Sequence, residues 1–289
     1  MNSPLQELKQ TMTALRRGDY PHFVVKKGFA GQPPAFFYHT IDGAVFDEQL
    51  AHLQRNGYLT LTADDYCQLV KKGKSINPKA VILTFDDGLE DLYTVAYPLL
   101  KSYSFNATAF LIPKWIGSRG MVSWEQAAEM DRSGAVDIQS HSFSHASMFT
   151  SEEIVDFFRG SPKPCNPWEL PIVRRDGEDC RMKPSDVGAP IYVSGSRLSD
   201  TPRYFPDDRI ERACMEAVAE GGGKKFFHAR GWRTRLLSIV NEYCGTTSRS
   251  RFEEREEQKD AIKKELITSR KHIEEEIPGK SVKHFAFPW

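Results

Sequence analysis

Two short stretches of this chain concentrate side chains suited to hydrolytic chemistry. Thr84-Phe85-Asp86-Asp87-Gly88 sets two carboxylates side by side where an apolar run gives way to a turn. Adjacent carboxylates are costly to bury unless a cation or a proton accompanies them. His141-Ser142-Phe143-Ser144-His145 spaces two imidazoles four residues apart. On one helical turn that spacing faces both rings the same way, as in other two-histidine metal sites. Either motif alone is weak: Asp-Asp-Gly is more often a capped turn, and a histidine pair is as readily two satisfied polar side chains. Both motifs, however, follow buried strands of a parallel type, and such strand ends converge on one rim of an α/β barrel. One aspartate with two histidines is a three-ligand set that leaves positions open for water and substrate. The reading to expect is a metal site.

Around these motifs the pattern alternates strand and helix. Ala35–Tyr38 is a short strand ending at His39; Phe46, Leu50 and Leu53 recur at helical spacing until Gly57. Thr62 heads a second helix, with Asp65 closing a capping box. Ala80–Phe85 is continuous, apolar and β-branched, the signature of a strand buried on both faces. Leu89–Tyr103 is expected to be helical and Ala107–Ile112 to be the next buried strand. Ser123 and Gln126 cap a helix that Gly134 ends, and Val136–Ile138 runs into His141. Such a β-α-β-α-β rhythm builds a parallel sheet or barrel.

From about Gly160 to Thr247 the rhythm breaks, with one convincing helix over Pro206–Ala219 stopped by Gly221-Gly222-Gly223. Phe252–Ile277 then forms a charged helix with an apolar stripe of Ile262, Leu266 and Ile273, its charges read as a solvated face. Pro278-Gly279 turns the chain into a final strand, His284–Phe287. The organisation expected is an N-terminal segment (1–34), a first barrel part (35–159), an insertion (160–250) and a continuation of the barrel (251–289).

TFDDG followed by HSFSH resembles the first two motifs of the polysaccharide deacetylase family (NodB homology, carbohydrate esterase 4), and Phe285–Trp289 (FAFPW) resembles a form of its third. The resemblance implies a distorted (β/α) barrel, here with a long insertion. Matched residue by residue, it makes Asp86 the general base and Asp87, His141 and His145 the ligands of one divalent ion, zinc first, with cobalt, nickel or manganese as alternatives. Ser142 would brace the histidine loop. Trp289, after Pro288, would line the substrate groove and lend its backbone N–H to the oxyanion. His39, in a Tyr-His-x-Ile stretch that some relatives share, is a second-tier site residue. Two departures stand out. No arginine matches the one that orients the base in the family's third motif, since Val282-Lys283-His284 precede FAFPW. By the same resemblance the chain stops ahead of the last strands, one of which supplies the histidine that protonates the leaving amine. A form ending at Trp289 is therefore expected to cleave amides poorly.

Lys+Arg and Asp+Glu number 39 each, so the chain has no general electrostatic attraction to nucleic acid or anionic membrane. No apolar run spans a membrane. Met1 to Gly18 has no apolar core followed by a cleavage site, and the five cysteines form no C-x-x-C pair. A cytoplasmic protein with free thiols is the expectation, which suits a glycan precursor better than a wall polymer. The leading function is removal of acetyl groups from N-acetylated carbohydrate. Its rivals are O-deacetylation, a non-catalytic carbohydrate-binding or interaction protein, and a metal phosphoesterase, which wants more carboxylates and a second metal.

Overall fold

The computed structural model describes residues 32–160, 167–244 and 248–288. Contacts divide the chain into two compact units, Met1–His141 with Arg270–Ala286, and Ser142–Ser269 with Phe287–Trp289.

The first unit is built on a parallel sheet. Its strands are β1 (Ala35–Tyr38), β2 (Leu59–Leu61), β3 (Ala80–Asp87), β4 (Ala107–Leu111) and β5 (Val136–Ser140). The order is β1-β3-β4-β5, with β2 also on β3, and every pairing is parallel. Helices make the crossovers that parallel strands require: α1 (Gly43–Arg55), α2 (Ala63–Lys71), α3 (Tyr97–Tyr103) and α4 (Trp124–Arg132). This is the mixed α/β class that the rhythm implied.

Local chemistry sets the helix bounds. Asp42 accepts from the N–H groups of Ala44 and Val45 to start α1, and Phe46 and Leu50, one turn apart, bury its inner face. Both expected capping boxes form, Thr62 with Asp65 and Ser123 with Gln126. The helix expected over Leu89–Tyr103 contains a π-helical turn, Leu92–Ala96, before α3. β3 continues two residues past Phe85, because Asp86 and Asp87 stay in register with Phe110 and Leu111 of β4.

The expected final strand is the main departure in this unit. Among the described residues it makes one parallel bridge, between Ser140 and Phe285. The N–H groups of Lys283 and His284 go instead to the side-chain oxygen of Gln139, at 2.9 Å each. A side chain has replaced a strand as their acceptor.

The second unit has its own sheet, in the order β8-β7-β6-β9: β6 (Ser147–Phe157), β7 (Ile172–Arg175), β8 (Glu178–Arg181) and β9 (Pro190–Ser196). β6, grouped by sequence with the first barrel part, pairs antiparallel with β9 of the expected insertion. β10 (Tyr204–Phe205) pairs with β11 (Arg251–Phe252). The expected helix appears as α5 (Asp208–Glu220), and α6 (Trp232–Cys244) joins it around Phe157, Ile210, Cys214, Leu236 and Val240. A buried bidentate pair, Arg197 to Glu253 at 2.8 Å for both bonds, ties β9 to the start of α7 (Arg255–Glu276). Among the described residues Cys67, Cys180 and Cys214 are free thiols, and burial pushes the Cys214 thiol up to about 12.

Candidate metal centre

The carboxylate pair sits at the C-terminal end of β3, the end at which parallel strands present ligand sites. Asp87 has φ 69°, a left-handed conformation that few non-glycine residues adopt, and its side chain is buried. Gly88 follows at φ 89°, and a Cβ there would lie 2.8 Å from Leu111 Cδ2 and 2.9 Å from Ile116 Cδ1. The turn after the two aspartates therefore needs glycine for both its backbone and its space. Asp86 is partly buried; burial pushes its carboxyl above the ordinary value, and the charge of His39 pulls against that rise.

His39 comes next to Asp86 through sheet register. Tyr38 lies opposite Phe85, so His39 leaves β1 where Asp86 leaves Phe85. The imidazole is exposed and meets the Phe37 ring edge-on at 6.0 Å between centroids. Asp91 fixes the same corner by accepting from the N–H of Ile41 at 2.7 Å.

His141 follows β5 directly. Its N–H donates to the Leu111 carbonyl at 2.9 Å, and its Nδ1 lies 3.0 Å from the carbonyl oxygen of Ala286. A carbonyl only accepts, so Nδ1 carries the hydrogen, and in the neutral ring Nε2 then presents its lone pair. That Nε2 is 3.6 Å from Asp87 Oδ1, too far for a good hydrogen bond. Two acceptors turned toward each other at this distance suit a shared cation.

The expected helical turn from His141 to His145 is absent. The stretch is an irregular loop in which Ser142 (φ 66°) and His145 (φ 49°) are left-handed. Three left-handed non-glycine residues at one site, each costing about 1–3 kcal/mol, mark a backbone held by its surroundings. Ser142 Oγ accepts from the His145 N–H at 3.0 Å. Glu265 of α7 accepts from the N–H and hydroxyl of Ser144 at 3.0 and 2.7 Å. Arg181 donates to the carbonyls of Ser144, Trp168 and Leu170, and burial lowers its guanidinium to about 10 while Glu265 opposes that shift.

One ligand atom each from Asp87, His141 and His145 lies within 4.8 Å of the others, and all three residues are buried. One carboxylate and two imidazoles, with one ring already oriented by a carbonyl, are compatible with a divalent ion. Of the other expected site residues, Pro288 is buried and Trp289 lies outside the described residues. Glu265, Arg181, Asp91 and Gln139 were not singled out in the sequence. Only Gln139 left a signal there, as a polar residue inside a buried strand that had to find partners.

Residues 73–159 match the family described as Polysaccharide deacetylase. A Bacillus subtilis (strain 168) relative, YxkH, whose name assigns it to the polysaccharide deacetylases, is 32% identical over 145 residues, covering 47% of this chain and 52% of that one. The poly-β-1,6-N-acetyl-D-glucosamine N-deacetylase of Escherichia coli (strain K12) is 29% identical over 112 residues, covering 34% of this chain and 17% of that protein. The chain thus spans about half or less of the length of these relatives. The fold is similar to the deacetylase domain of BpsB from Bordetella bronchiseptica, with a TM-score of 0.54 over 91% of this chain and 82% of that one at 14% identity. Over residues 73–159, which carry the paired aspartates and the two-histidine loop, this chain is similar to the polysaccharide deacetylase family.

Proposed function

We propose that this chain is a divalent-metal-dependent hydrolase that removes acetyl groups from N-acetylated carbohydrate. The observation that carries the reading is the buried Asp87, His141 and His145 cluster, with Asp86 next in the chain and His39 beside it. A divalent ion held by those three residues would acidify water and polarise the acetyl carbonyl.

The remaining work falls to side chains. Asp86 takes a proton from water as its oxygen attacks the acetyl carbon. Its raised affinity for protons suits a base more than a ligand. Amide cleavage then needs a proton on the departing nitrogen. His39, exposed and electrostatically coupled to Asp86, is the candidate donor within the chain. As the C–N bond breaks, His39 protonates the nitrogen, and acetate and the free amine leave. A binding-only scaffold would have no use for this acid and base pair.

The name of the E. coli relative makes a β-1,6-linked N-acetylglucosamine polymer the first substrate to assay. Purified protein should contain one equivalent of metal, lost in His141→Ala, and should release acetate from N-acetylated oligosaccharide. Equal metal content in both proteins would sink the ligand assignment. Release from O-acetylated but never from N-acetylated sugar would make the chain an esterase instead.

A further inference from the structure

We infer that Gln139 is a positioning residue that sets the tautomer of His141, and with it the metal affinity of the site, by holding residues 283–286 along the edge of β5. The inference rests on the reading of His141 as a metal ligand.

β5 ends the sheet order, and the stretch after the Pro278-Gly279 turn lies along its edge. The contacts that hold this stretch differ in strength. Those with Ser140 run at 3.4 Å to the His284 carbonyl and 3.1 Å from the Ala286 N–H. The two bonds that Gln139 Oε1 accepts from Lys283 and His284 are shorter, at 2.9 Å each. Gln139 is only 1% exposed, so no water competes for that oxygen. Its amide nitrogen donates to Asp137 at 3.0 and 3.1 Å, which fixes which way the amide faces. Asp137 also pairs with Lys280, which reaches Asp131 as well and so anchors the start of the same stretch.

The far end of the stretch bears on the metal centre. Ala286 supplies the carbonyl 3.0 Å from His141 Nδ1. With that acceptor in place, the hydrogen stays on Nδ1 and Nε2 is the atom turned toward Asp87. Without it, the neutral ring is free to carry its hydrogen on Nε2, where it cannot ligate.

Three variants test this. Gln139→Leu keeps the bulk and removes both bonds. Lys283→Ala removes an exposed side chain but keeps the N–H that Gln139 accepts. The double variant Gln139→Glu with Asp137→Asn exchanges the amide and the carboxylate, so that the backbone acceptor and the side-chain bond both survive while Lys280 keeps Asp131 as its charge partner. The first readout is nitrogen NMR of labelled histidine in the metal-free protein, which reports the His141 tautomer. The second is zinc affinity by competition with a chromophoric chelator. Wild type and Lys283→Ala should show hydrogen on Nδ1 and equal affinity. Gln139→Leu should show a mixed tautomer and bind zinc about 10–100-fold more weakly, as loss of an orienting partner does. The double variant should recover both. A wild-type tautomer and affinity in Gln139→Leu would overturn the inference, as would a folded double variant that recovers neither. If Gln139→Leu does not fold, the double variant decides. If wild type binds no zinc, the metal reading fails, while the tautomer in the metal-free proteins still decides the role of Gln139.

Discussion

Consecutive side chains of a strand point to opposite faces, so the identical carboxylates of Asp86 and Asp87 meet different surroundings. Asp87, buried and left-handed, clusters with two imidazoles, whereas Asp86 remains partly exposed with its carboxyl raised by burial. Asparagine keeps the shape of either side chain and removes its charge. Asp86→Asn should therefore retain metal and lose turnover by about 10²–10⁴, as removal of a general base does. Asp87→Asn should lose metal. The opposite pattern in elemental analysis would mean that the two roles are exchanged. His39→Gln separates the acid from both: an alkoxide leaves more readily than an amide nitrogen, so the variant should lose amide cleavage far more than ester cleavage on matched substrates. Equal losses on the two substrates would remove His39 from the proton transfer.

At the scale of elements, caps and strands were legible because their signals are local. Thr62 with Asp65, and Ser123 with Gln126, need only four residues to declare a helix start, and Ala80–Phe85 declares a buried strand by composition. What was not legible depends on partners far along the chain. The stretch His284–Phe287 reads as a strand, yet the N–H of His284, like that of Lys283 before it, goes to the side chain of Gln139, 145 and 144 residues away. Glu265 reads as one charge on a solvated helix face, yet it holds Ser144, 121 residues away. The sheet β8-β7-β6-β9 was hidden for a further reason: β6 is bulged and mostly polar at its centre, without clean alternation. In this unit Asp207 caps α5 and accepts from Arg209, which together with the N–H groups of Arg249 and Arg209 holds its carboxyl at about 2. Asp207→Ala should cost about 1–2 kcal/mol in urea unfolding, as loss of a cap does. A carboxyl depressed in the folded state stabilises above its unfolded pKa, near 4, and that contribution vanishes as pH falls through about 2. The difference between wild type and Asp207→Ala should thus be full at pH 6 and shrink below pH 4. A difference that grows on acidification would contradict this account of Asp207.

For the molecule as a whole, the proposed ligands arise from two separate stretches, one closing β3 and one following β5, with a 54-residue step from Asp87 to His141. No unfolded chain holds that arrangement, so a divalent ion held there would bind the folded state and stabilise it by mass action. At free zinc a hundredfold above Kd the gain is about 2.7 kcal/mol, which for a domain of this size raises Tm by roughly 5–10 °C. Three left-handed residues at the site work in the opposite direction, because their backbone strain is relieved on unfolding. A metal-free protein should therefore melt earlier than its charge balance and cores would imply, and most of the loss should return on adding zinc. His141→Ala separates metal binding from nonspecific effects of chelator: its melting should not respond to EDTA or to zinc, while wild type responds to both. The comparison also tells a metal centre from an inert cluster of polar residues. Wild-type melting that is identical with EDTA and with excess zinc would mean that Asp87, His141 and His145 are held together by the protein alone, and the metal-dependent reading would fall with it.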